Sequence, residues 1–274
     1  MRRAGLALAA WLLCSGAAFA HDSWFAPQPA NDRGQLVLAL GTGNQYPVFD
    51  APIAAAQLQT SGCLGPGVRE VPLREVGGLS LFRASPPFLL LRTGRPVSAA
   101  ASVSCWAQLV PIDIQIDDPT VVVYLDEIKA PPAVRERWAA LQARGVRWQE
   151  TYVKHARVEI EGEQPASTAT APIEGLGLDV RLENTQRPLR AGDTVRFQLL
   201  RDGQPLAGLA VELRSDASPI GFWRQTDAEG RVQITLPLAA RWILRGTDVR
   251  PSREHPDRWE SRFVTLAFEV RPKR

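Results

Sequence analysis

The chain has 274 residues, 45% apolar and 22% charged, with 32 basic and 29 acidic side chains for a formal net charge of +3. That length admits roughly two domains of ordinary size, and the balance excludes a disordered chain, a collagen-like repeat and a polytopic membrane protein. Three His and one Met leave no room for a His-rich metal cluster, so each His is weighed separately.

Residues 1–20 read as a cleaved secretory signal. Arg2 and Arg3 make a positive start, an uncharged apolar run follows from Ala4 to Ala17, and Ala18-Phe19-Ala20 fits the small-x-small cleavage pattern. The run is short for a membrane span and no stop-transfer pattern follows. Cys14 opens a lipoprotein alternative, but Leu13 stands where a small residue ordinarily precedes a lipid-modified Cys. Without Arg2 and Arg3 the basic side chains fall to 30 against 29 acidic. No basic stripe for nucleic acid remains. The expected location is the periplasm. There Cys63 and Cys105 read as one disulfide, with two separate buried thiols as the alternative. The bond closes a loop of about 43 residues, worth about 4 kcal/mol in the chain-entropy model.

Residues 21–130 read as an N-terminal β domain. Strands are expected at 35–40, ended by Gly41-Thr42-Gly43-Asn44, and at 79–83, 88–92 and 98–110. The β-branched run Val121-Val122-Val123-Tyr124-Leu125 predicts a buried strand. Residues 131–175 read as a helical segment and linker. Pro131-Pro132 opens a helix, Val134, Trp138 and Leu141 share its face, and Gly145 stops it. Trp148, Tyr152 and Ala156 predict a second helical piece, and 164–172 a loop. Residues 176–274 carry six short strands at 178–182, 194–201, 209–214, 232–236, 242–246 and 263–270, separated by turn signals such as Arg201-Asp202-Gly203-Gln204. The expected fold is therefore mainly β: two β-sandwich-like domains, the second immunoglobulin-like in size, joined by a short helical segment.

Cleavage after Ala20 makes His21 the first residue. A terminal His offers its α-amine and Nδ1 to one metal, and a second His completes a three-nitrogen site that suits Cu and admits Ni. The other histidines are His155 and His255. The plainer readings are a solvated terminus for His21, a hydrogen-bonded structural role for His155 and a solvated loop for His255. Asp22 reads as a ligand, a support for His21 or a turn cap. HExxH, P-loop, GxSxG and CxxC patterns do not occur. The acidic residues Asp113, Asp117, Asp118, Asp126 and Glu127 read as a cation site or, equally well, as a solvated loop.

Several motifs together carry a resemblance: His21-Asp22-x-Trp24 after the signal, the segment from Glu150 to Arg157, Asp202-Gly203-Gln204-Pro205-Leu206-Ala207-Gly208, Thr226-Asp227-Ala228-Glu229-Gly230-Arg231, and Trp259-Glu260-Ser261 before a closing strand. They resemble an exported bacterial family of largely unknown function, often described as the periplasmic component of nickel or cobalt uptake systems. The resemblance spans most of the mature chain. Its second half is shared by many β-sandwich extension domains and speaks to fold. It implies an envelope protein able to bind a transition metal (Ni, Co or Cu) without established catalysis, partnered with a metal-uptake transporter in the membrane. It carries over to His21, Asp22 and Trp24, and to His155. Three functions are thus expected in competition: a metal-binding accessory protein, an envelope module binding a protein or glycan, and a copper oxidase with a histidine brace and a flat surface offered by Trp24 and Trp106.

Overall fold

The computed structural model describes residues 21–65, 68–76, 88–164, 170–185 and 187–273. The signal at 1–20 with Cys14, the strand expected at 79–83 and most of the loop at 164–172 lie outside the described residues. The chain begins with β1 (Asp22–Gln28), β2 (Val37–Gly43), β3 (Ala51–Pro52), β4 (Leu58–Gly65), β5 (Val68–Glu75), β6 (Leu89–Thr93), β7 (Val103–Leu109) and β8 (Ile112–Ile116). Helices α1 (Asp118–Glu127) and α2 (Pro132–Ala143) follow, then the long strand β9 (Trp148–Ile160). The remainder is β10 (Leu178–Leu182), β11 (Thr194–Arg201), β12 (Gln204–Pro205), β13 (Ala210–Ser215), β14 (Ser218–Gln225), β15 (Arg231–Thr235), β16 (Ala240–Pro251) and β17 (Trp259–Val270).

The fold is mainly β and sandwich-like, as the strand pattern predicts. One large sheet runs β1-β2-β6-β5-β4-β7-β9-β17-β16-β13-β14, with β3 on β2 and β8 on β9. A smaller sheet holds β10, β11, β12 and β15. The large sheet passes from its N-terminal to its C-terminal strands through β9 and β17, which pair in parallel from Glu150 opposite Trp259 to Val158 opposite Ala267.

Strand alternation lets β17 serve several cores, because successive side chains leave opposite faces. Val264, Leu266, Phe268 and Val270 pack with Trp242, Phe197 and Leu213 between the two sheets. On the other face, Ala267 joins the N-terminal core of Leu38, Leu40, Leu91 and Val158. Trp259 and Phe263 join Trp148, Trp138, Val121 and Leu125 beneath the helices. Strand β9 divides likewise. Its even-numbered residues meet the N-terminal and helical cores, while His155, Arg157 and Glu159 on the opposite face are buried and polar. Arg157 bonds both oxygens of Asp179 at 2.8 and 2.9 Å, Ser104 at 2.7 Å and the Ala171 carbonyl at 2.8 Å. Glu159 takes Ser104 at 2.7 Å and Arg187 at 3.1 Å. Nearly every donor and acceptor there has a partner, which makes so many buried charges tolerable.

Two segments take the other kind of structure from the one the sequence predicts. The run at 121–125 lies in helix α1. The Asp117 side chain accepts the Thr120 N–H at 2.9 Å, and Pro119 stands in the first turn, where its missing N–H costs no bond. Val121, Tyr124 and Leu125 then share the buried face, leaving Val122 and Val123 54% and 47% exposed. The segment expected as a second helical piece is strand β9. A spacing of four, as in Trp148, Tyr152 and Ala156, falls on one face of either a helix or a strand. Antiparallel pairing with β8, Ile112 opposite Tyr152 through Ile116 opposite Trp148, decides for the strand. Helix α2 buries Val134, Trp138 and Leu141 as expected. Cys63 and Cys105 face each other on β4 and β7 and form the expected disulfide. The sequence reading holds no strand at β1, β3, β4, β5, β8, β12 or β14; in β14, Pro219 and Gly221 interrupt the pattern. No helix among the described residues is long and apolar enough to cross a membrane.

Candidate ligand pocket

The site begins with the seating of β1. Asp22 is buried and receives Arg245 of β16 at 2.8 Å, while Arg245 also holds Glu212 at 2.7 Å. The Ser23 carbonyl accepts from Thr265 of β17 at 2.6 Å, and the Ser23 hydroxyl meets Thr42 at 2.8 Å. Trp24 is 1% exposed, stacks on Phe49 at 5.2 Å and meets the Tyr46 ring edge-on at 5.6 Å. Gly43 of β2 makes room for it, because a Cβ there would lie 2.3 Å from the Val48 carbonyl oxygen and 2.7 Å from the Trp24 ring. These contacts pin residues 22–24 against β9, β16 and β17 and bring His21 to a pocket.

The pocket has a volume of about 300 Å³. One wall is apolar: Ile112, Ile114 and Ile116 from β8, Leu109 from β7, and Pro52 and Ile53. The other is the even face of β9, Glu150, Tyr152 and Lys154, with Phe263 from β17, Tyr124 from α1, and His21 and Thr42 beside them. The three isoleucines reach one cavity because they alternate along β8 opposite Tyr152, Glu150 and Trp148.

Glu150 is 1% exposed and fully engaged. It accepts from Trp148 Nε1 at 2.8 Å, from the Tyr124 hydroxyl at 3.2 Å, and from the Ser261 hydroxyl. Burial pushes its carboxyl above the usual range, while those three donors pull the other way. The Tyr124 hydroxyl is raised well above its ordinary value, chiefly by burial and then by the Glu150 charge. Lys154 is the unpaired cation of this pocket among the described residues. Its ammonium lies 5.4 Å from the centre of the Tyr152 ring and 6.0 Å from that of Phe263, and among the described residues no carboxylate stands within 4 Å of it. Burial lowers its pKa to about 8, partly opposed by the charge of Asp22.

The structure separates the three histidines. His21 shares the pocket with Lys154. His155 points from the opposite face of β9, where Nδ1 bonds the Phe263 carbonyl at 3.0 Å and Nε2, though buried, has no partner. Burial lowers its pKa to about 4, partly countered by that bond. His255 is exposed in the turn between β16 and β17, where the neighbouring Pro256 carbonyl accepts from Arg137 of α2 at 2.7 Å. Asp22 is held by Arg245 and anchors the strand. Among the described residues no group of three or more His, Cys, Asp or Glu is placed to hold a metal ion. Among the described residues His155 and His255 do not join His21, so the three-nitrogen set expected from the sequence is not assembled there. Trp24 is a core residue, and Trp106 packs with Ile173 and Leu176, so neither makes an exposed flat surface. Of the acidic residues read as a cation site, Asp117 caps α1, Asp126 pairs with Arg135 at 2.7 Å and Asp113 faces Arg258 at 3.4 Å.

The sequence reading passed over Lys154, Glu150, Tyr152 and the β8 isoleucines. Their signal was present as alternation: polar residues at 150, 152 and 154 on the same face as Trp148 and Ala156. No curated protein matches the chain significantly. A family model described as a domain of unknown function (DUF4198) matches residues 18–247. The chain belongs to that family.

Proposed function

We propose that this is an exported, non-catalytic binding protein of the cell envelope that takes a small ligand in the pocket between β8, β9 and α1. The observation that carries this reading is the convergence of His21, Lys154, Glu150, Tyr152 and Tyr124 opposite an apolar wall in a cavity of ligand size. An apolar pocket with a few inward polar groups is the ordinary form of a small-molecule site. Residues 1–20 serve as the export signal, and the protein works in the periplasm. The test is ligand-observed NMR with mixtures of small organic molecules, comparing the wild-type protein with Ile114→Trp, which fills the cavity. Binding that Ile114→Trp abolishes supports the reading. Binding indifferent to the substitution, or none at all, defeats it.

A second reading keeps the nickel, cobalt or copper role and the transporter partner, on the observation that His21 lines this same pocket. Its test is calorimetric titration of Cu(II), Ni(II) and Co(II) into protein exported so that His21 carries a terminal amine. The control carries one extra residue ahead of His21. Tight binding lost in the control supports the chelate. Equal binding in both moves the metal elsewhere, and no binding removes the metal role.

A further inference from the structure

We propose that the pocket selects a monocarboxylate with a compact apolar body, its carboxylate pairing with the Lys154 ammonium and its body lying against the isoleucines of β8. The proposal rests on the small-ligand reading above and names the class of ligand.

Charge in the pocket is unbalanced. Lys154 has no carboxylate within ion-pair distance among the described residues, and both nearby acids are committed elsewhere. Asp22 is bound by Arg245, which also holds Glu212. Glu150 receives three donors, all from buried residues. A cation in an apolar site without a counter-charge is costly. A ligand carboxylate supplies that charge through a short charge-assisted hydrogen bond. A neutral ligand leaves the ammonium unpaired, and a cationic one meets repulsion.

The rest of the cavity argues for a small ligand with one negative group. Ile112, Ile114, Leu109 and Phe263 offer hydrocarbon. About 300 Å³ lies at the small end of ligand sites. A phosphate, with more charge and more oxygen atoms to satisfy, has one lysine and no arginine lining this pocket.

The groups facing Lys154 are His21 ahead of β1, Asp22 on β1, Tyr124 on α1, and Glu150 and Tyr152 on β9.

The experiment is calorimetry at pH 7 with two matched pairs, benzoate against benzamide and 4-methylpentanoate against its amide, plus phenyl phosphate. The proteins are wild type, Lys154→Met and Ile114→Trp, each checked for folding by its thermal melt. The expected result is at least tenfold tighter binding of the carboxylates than of their amides. That preference should vanish in Lys154→Met, and all binding should vanish in Ile114→Trp. Amides binding as tightly as carboxylates, a preference that survives Lys154→Met, or phenyl phosphate binding more tightly than benzoate each overturns the carboxylate class. If amides bind and Ile114→Trp blocks them, the small-ligand reading stands while this proposal falls. If no probe binds, both fall.

Discussion

Asp22 shows how a motif that looks like chemistry can be architecture. Standing next to a terminal His, it suggests a metal ligand by sequence. In the fold it is the anchor that aims His21, joined to Arg245 across a separation of 223 residues. Asp22→Asn should cost about 2 kcal/mol, the scale of a hydrogen bond to a charged group, because Arg245 keeps Glu212 and is not left alone. The expected signature is a lower urea midpoint with an unchanged slope, and faster amide exchange along β1 than along β16. An unchanged midpoint and unchanged exchange would show that β1 is held without this pair. Lys154 is the reverse case. It draws no functional reading of its own from the sequence, which does not reveal that even positions of β9 face a cavity and odd positions face the Arg157–Asp179 cluster.

At the scale of elements, legibility followed how local the deciding interaction is. Helix α2 carries its own signals, two prolines at the start and an apolar stripe, and was legible. Helix α1 was not, because β-branched propensity at Val121, Val122 and Val123 outweighed the cap at Asp117 in the reading, whereas the cap and the burial of Val121, Tyr124 and Leu125 prevail in the fold. Hydrogen bonding to Thr120 holds the Asp117 carboxyl below its ordinary pKa. A lowered pKa means the unfolded chain binds more protons as the pH falls, so the cap stabilises fully above the ordinary Asp range and is lost as the pH falls through the lowered folded value. Asp117→Ala should therefore be less stable than wild type at pH 6, and the gap should narrow as the pH drops below about 4. Urea titrations at pH 6 and at successively lower pH check this, and a gap that does not narrow would remove the charged cap as its cause. Strand β9 was misread because its spacing serves two periods, and only partners distant in sequence, β8 and β17, choose between them.

For the molecule as a whole, the β character, the disulfide and the six expected C-terminal strands were legible, since alternation, turn residues and cysteine count are local properties. The passage of one sheet through β9 and β17 was not, since no local pattern reports which strands become neighbours. That pairing makes the two β regions depend on each other. Residues 21–175 alone lack β17, and with it Trp259, Phe263 and Ala267, which belong to the helical and N-terminal cores. The expected outcome is that this fragment gives a poorly dispersed amide NMR spectrum and no cooperative melt, while the intact protein melts in one transition. A well-folded fragment would show that the N-terminal strands close without β17.

The position of β17 also bears on when the chain can fold. It is the last strand in the sequence, yet it lies inside the large sheet, between β9 and β16. The Ser23 carbonyl waits for Thr265, 242 residues further along. During synthesis β9 thus has no parallel neighbour and the pocket has no Phe263 until residues 259–270 have been made. Contacts so distant in sequence form slowly. A sheet whose inner strand is made so late stays open along that seam until the strand arrives.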